Sequence, residues 1–190
     1  PGKIIRSSYL TFLGPQQFAK LPLAPEDYFA KDDLVISDVF NGQARIWSDF
    51  RQHDLFGRML ILPSEIGLNH CPEIAQTLLE MGNYRKLALL GFPVAQQNLP
   101  LIRQSEMQLA QICQEIVSDS RPREQLLQEL THLSAKVAEL TASSRYRMGA
   151  SAAYAAICDA RVAALQPVSV DGGITLQAFT ERRLHPAVNT

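Results

Sequence analysis

A chain of 190 residues and 21.1 kDa is long enough to bury one sizeable core and too short for two full domains. Its 46% hydrophobic and 19% charged residues, with a mean hydropathy of −0.05, exclude wholesale disorder. Eighteen Lys and Arg against 19 Asp and Glu leave a net charge of −1, so there is no global basic field to hold a nucleic-acid backbone.

The first residues, Pro1-Gly2-Lys3-Ile4-Ile5-Arg6, contain no initiator Met and no charged-then-apolar signal pattern. Arg182 to Thr190 ends without a Gly-rich or acidic tail, so the chain is expected to be a piece of a longer protein. The longest apolar run, Leu87 to Val94, is interrupted by Pro93 and falls far short of the ~20 residues that span a bilayer. Cys71, Cys113 and Cys158 are odd in number and widely spaced, which predicts buried free thiols in a reducing compartment rather than a disulfide framework.

Residues Ile4 to Leu13 are rich in β-branched and aromatic side chains and close on Gly14-Pro15, the pattern of a strand. A loop with Pro22 and Pro25 and a short helical turn follow. Two strand-like runs, Leu34 to Phe40 and Gln43 to Phe50, flank Asn41-Gly42, whose tolerance of positive φ predicts a tight β-hairpin. Arg58 to Leu62 reads as a further strand, ended by Pro63. These segments predict a small antiparallel sheet.

From Pro72 the period becomes helical, with Ile74, Leu78, Met81 and Leu87 on one side, until Gly91 and Pro93 break it. Ile102, Leu109, Ile112 and Ile116 form a second series. After the break Ser118 to Pro122, with Ser120 as the expected cap, Leu126, Leu130, Leu133, Val137 and Leu140 alternate steps of four and three. That spacing predicts an antiparallel, coiled-coil-like helical hairpin. The small residues from Gly149 to Ala156 should let another backbone approach closely. Pro167 ends the helix, Asp171-Gly172-Gly173 makes a turn, and Thr175 caps a last helix reaching Leu184. The expected class is therefore α+β: a part with an antiparallel sheet and short helices over 1–70, and the long hairpin with a short C-terminal helix over 71–190.

No metal-ligand spacing, phosphate loop or nucleophile elbow occurs, so no catalytic residue, metal or cofactor is expected. Two groups of residues stand out all the same. Alternation along the strand places Trp47, Asp49, Arg51 and His53 on one face with Arg45, either as a binding surface with an acid-base pair or as a solvated face with an Asp-Arg cross-strand pair. Tyr84-Arg85 and Tyr146-Arg147 repeat one dipeptide in two long helices, where an Arg in an apolar setting must find a partner or snorkel outward. These four form the expected polar network across the helices, with Glu80, Glu139 and Asp159 as acids nearby in sequence.

Four segments carry a family resemblance: Ala44 to Arg51 (ARIWSDFR), Leu78 to Pro93 (LLEMGNYRKLALLGFP), Ser144 to Arg147 (SRYR) and Thr175 to Ala187 (TLQAFTERRLHPA). In this order they resemble a bacterial family of unknown function described as uncharacterised membrane-anchored proteins. The resemblance implies a longer protein with an additional α/β portion before this chain, and a helical stretch and hydrophobic anchor after it. It supplies no catalytic residues, and where that family typically carries a Glu this chain has Gly82. The expected role is non-enzymatic: the cytoplasmic domain of a membrane-anchored protein, acting in self-association or in binding a protein partner, with no nucleic acid. Two alternatives are kept: a regulatory domain like that of CorA-type ion channels, by analogy of architecture alone, and an enzyme with its site on the Trp47, Asp49, Arg51 and His53 face.

Overall fold

The Asn-Gly hairpin forms as its chemistry requires. In a computed structural model, which describes residues 4–170 and 172–188, strands β2 (Val35–Val39) and β3 (Ala44–Ser48) pair antiparallel around it. The Gln43 amide donates to the Phe40 carbonyl, and Asn41 and Gly42 both have positive φ, the conformation a type I′ turn demands at its two central residues. β1 (Ser8–Phe12) precedes this hairpin, with a helical turn α1 (Pro15–Phe18) and two 3-10 turns between them. β4 (Gln52–His53) and β5 (Phe56–Pro63) follow it.

The sheet is mixed rather than purely antiparallel, which corrects the sequence expectation. β1 runs parallel to β5, from Ser8 opposite Gly57 to Phe12 opposite Ile61. β6 (Val168–Ser169), from the far end of the chain, pairs with β2, giving the order β1-β5-β3-β2-β6 with β4 alongside β5. Strand alternation reports which face is buried and carries no information on the direction of a distant neighbour.

The helical half opens with α2 (Cys71–Ala88), whose Ile74, Leu78 and Met81 are fully buried. The chain breaks through a 3-10 turn at Leu89–Gly91 into α3 (Phe92–Ser118), then returns along α4 (Arg123–Leu165), 43 residues long. Pro122 occupies the cap position of α4, and Ser120 instead exchanges a hydroxyl hydrogen bond with Ser118 at 2.9 Å, so the expected Ser120 cap does not form. Gln166 ends α4 in the left-handed region just before Pro167. Thr175 does cap α5 (Leu176–Arg183), its hydroxyl accepting from the Ala178 amide, and a last turn, α6 (His185–Val188), follows. Of the expected turn at 171–173, Asp171 lies outside the described residues; Gly172 has φ +73° and the Gly173 amide bonds to the Val170 carbonyl.

One face of the sheet, through Val35, Val39, Ile46 and Ile61, packs on α2, α4 and α5 in a single core that also takes in Cys158, Leu165 and Leu176. Trp47 and Leu60 on the other face are covered by Phe29 and the irregular chain between β1 and β2. The small residues of α4 act as expected: a Cβ added to Gly91 would lie 2.3 Å from the Ser151 hydroxyl, so only glycine admits this approach. Glu80 of α2 and Arg161 of α4 are joined by an ion pair of 2.7 Å. All three cysteines are free, but only Cys158 is buried; Cys71 is half-buried and Cys113 exposed. Beyond the core, α3 and α4 continue side by side as an antiparallel hairpin held inside by Ile112, Leu126 and Leu133.

Candidate functional site

β3 ends at Ser48, and the backbone of Phe50 then enters the left-handed region (φ 53°), which breaks the strand before Asp49, Arg51 and His53 can share a flat face with Trp47. Trp47 points into the smaller core cluster and donates its indole N–H to Glu26 at 3.0 Å. Asp49, 1% exposed, is an internal fastener. Its Oδ2 accepts from the Ala30 amide at 3.0 Å and meets His53 Nε2 at 2.8 Å, and its Oδ1 accepts from the Arg51 amide at 3.0 Å. Burial alone would raise the carboxyl pKa, but the two amides and His53 outweigh it and hold it below the usual carboxylate value. Arg51 turns outward to Asp33, to which Arg183 of α5 also binds. Arg45 and Asp38 form the bidentate cross-strand pair, at 2.7 and 3.0 Å. The structure therefore brings Asp49 and His53 together and gives the carboxylate two backbone loads to carry, while Trp47 lies apart.

The Tyr-Arg pairs do not meet. Tyr146 is 86% exposed and Arg147 is exposed as well, whereas Tyr84 stacks on Tyr154 with ring centroids 6.1 Å apart. Arg85 is buried, with its guanidinium carbon 5.5 Å from the Phe50 ring and 5.4 Å from the Phe179 ring. Those two rings stack on each other at 4.5 Å, so the cation rests against a paired aromatic wall. Glu80, the acid of α2 nearest in sequence, is engaged by Arg161.

The hairpin presents a different arrangement. Ile102, Leu109 and Ile116 on α3, and Leu130 and Val137 on α4, recur every seven residues and are between 37% and 54% exposed. The layer displaced from it by three or four residues, with Ser105, Ile112, Leu126 and Leu133, is closed inside the hairpin. Ile102, Leu109, Leu130 and Val137 of the open layer line a groove of about 550 Å³ between the two helices, where Ser105 and Leu133 of the inner layer also surface, and Asn98 and Ser144 lie toward its core end. Sequence periodicity had identified these side chains but not which of the two layers a single chain closes. It also missed Arg6 and Lys86, which the fold sets close enough to Arg85 to repel it electrostatically.

Among the described residues no group of three His, Cys, Asp or Glu side chains is placed to hold a metal, and no helix is long and apolar enough to cross a membrane. One family model, described as a protein of unknown function (DUF3422), matches residues 1–190. No curated protein and no solved structure matches.

Proposed function

The chain belongs to the DUF3422 family of proteins of unknown function, and from that premise we propose that it is a non-enzymatic assembly domain whose helical hairpin pairs with the hairpin of a second copy. The observation that carries this reading is the open heptad layer. In a two-stranded coiled coil both apolar layers are shut by the partner helix. Here one layer is shut and Ile102, Leu109, Ile116, Leu130 and Val137 still face outward. Two such hairpins placed face to face complete a four-helix core, in which every helix is apolar toward two neighbours. A two-fold pairing needs one self-complementary patch, and an apolar patch of like residues is complementary to itself.

The setting that fits is the cytoplasmic side of a membrane-anchored bacterial protein. The family resemblance implies such an anchor, and three unpaired cysteines suit a reducing compartment. Light scattering on the 21.1 kDa chain tests the pairing. A species of twice the chain mass, converted to monomer by Leu109→Glu with Val137→Glu while helicity is retained, is the expected result. A monomer at all accessible concentrations overturns the reading and leaves the groove to another chain.

A further inference from the structure

At the seam between β1, the segment after β3 and helix α2, five cations line one small cleft: Arg6, Arg51, Arg58, Arg85 and Lys86. Among the described residues no carboxylate lines it. Two of the five are balanced from outside, Arg51 by Asp33 at 2.7 Å and Arg58 by Asp54 at 2.9 Å. Among the described residues Arg6 donates to neutral groups, the Leu79 carbonyl at 2.9 Å and the Asn83 side-chain oxygen at 3.0 Å. Lys86 and Arg85 have no ion-pair or hydrogen-bond partner among the described residues, and Arg85, 8% exposed, has its Nε buried without an acceptor.

Such a group is costly. A buried charge without a counter-ion is among the least favourable features a fold can hold, and proteins normally pair it or replace it with an apolar residue. Burial lowers the pKa of all three, and repulsion adds to it: from Arg85 at Arg6, from Arg85 and Arg6 at Lys86, and from Arg183 at Arg85. The fold nonetheless packs them together. Gly82 leaves the space for it: a Cβ there would stand 2.3 Å from Cζ of Arg6, so the guanidinium lies directly on the helix backbone.

We infer that this cleft is a binding site for a phosphate group, in which Arg85 is the buried anchor and Arg6 and Lys86 complete the cradle. Three uncompensated cations match a dianion better than a single carboxylate. The planar fork of a guanidinium, with the point charge of an ammonium beside it, is the usual donor set for phosphate oxygens. The Ser8 hydroxyl, which also lines the cleft, has no hydrogen-bond partner among the described residues and adds a neutral donor. The cleft holds about 30 Å³, room for a few waters or one oxyanion and too little for a base or a sugar. The phosphate is therefore either the free ion or the terminal group of a larger molecule whose remainder stays outside.

Isothermal titration of the chain with inorganic phosphate, in a buffer free of other oxyanions and at fixed chloride, tests this. A saturable one-to-one heat is expected, weakened at least about tenfold by Arg85→Met and by Lys86→Gln. Gly82→Ala should weaken it similarly by pushing Arg6 off the helix while the helix itself is kept, so a failure of R85M to fold leaves the test intact. Arg147→Gln, on the exposed surface of α4, should bind as wild type does. Repeating the titration with glycerol 3-phosphate separates the two sources: tighter binding of the monoester marks a headgroup site, and tighter binding of the free ion marks an inorganic phosphate site. No saturable heat at millimolar phosphate, or binding by R85M and G82A as tight as that of wild type, overturns the inference.

Discussion

Arg85→Met should make the apo protein more stable. The effective penalty for a buried, uncompensated ion is several kcal/mol, and an orphaned buried donor such as Nε costs about 1–3 kcal/mol of that. Against it stand the contacts of the guanidinium with the Phe50 and Phe179 rings, at 5.5 and 5.4 Å. Each desolvated cation–π contact is worth about 1–2 kcal/mol, and Met retains a favourable sulfur-aromatic contact with the same rings. The balance is a gain of about 1–3 kcal/mol for Met, which in a chain of this size raises Tm by roughly 2–12 °C. Differential scanning calorimetry in a buffer without oxyanions measures it.

The same pair of proteins should then converge or cross in phosphate. A ligand at one hundred times its dissociation constant adds about 2.7 kcal/mol to the protein that binds it and nothing to the one that does not. Wild type should therefore rise with phosphate by at least about 1.4 kcal/mol more than R85M, whose binding is weakened tenfold or more. A loss of more than about 1 kcal/mol by R85M in the oxyanion-free buffer would refute the reasoning. It would mean that the stacked rings and the aliphatic stem of Arg85 stabilise the fold by more than the unpaired charge costs.

Three further predictions concern other parts of the molecule. Asp49→Asn should cost about 2–4 kcal/mol in urea denaturation, because the amide replaces a carboxylate acceptor of two backbone N–H groups. The folded Asp49 carboxyl titrates below its ordinary value of 3.8, so its contribution is complete above that value and is lost as the pH falls through the lower, folded one; D49N should flatten this acid limb of the stability profile. With a chromogenic disulfide reagent at mild alkaline pH, exposed Cys113 should react in the native state, whereas Cys158, buried and with its thiol pushed up to about 11, should react only on unfolding. A single charge in the open layer, Leu109→Glu, should shift the light-scattering mass toward the monomer by at least about tenfold in dissociation constant, with an unchanged helical circular dichroism signal.

What could be read from the chain and what could not divide along the distance over which each signal acts. The Asn41-Gly42 turn, the break at Gly91-Pro93 and the Thr175 cap are set by neighbouring residues, and each appears where the local chemistry puts it. The pairing of β1 with β5 and the return of β6 to β2 join segments with no local mark of their meeting; β6 joins β2 antiparallel, but β1 joins β5 parallel, and there the antiparallel expectation failed. The strand face failed for a different reason: the alternation held only to Ser48, since a positive φ at Phe50 is not announced by any glycine or asparagine at that position.

The Tyr-Arg echo shows the same limit at the level of single side chains. Both dipeptides lie in long helices, and sequence alone gives them equal standing. The fold separates them by what the opposite element supplies: α2 turns Arg85 toward Phe50, Phe179 and the cleft, while α4 leaves Arg147 on its outer surface. Arg6 and Lys86 gain their significance only from that arrangement, one lying 79 residues before Arg85 and the other directly after it. A cation followed by another cation on a helix reads as a solvated face, and it is a cleft wall with no carboxylate among the described residues that turns the pair into a candidate site. The closed and open layers of the hairpin follow the same logic, since both carry the same apolar spacing and only the position of the neighbouring helix distinguishes a finished core from an unfinished one.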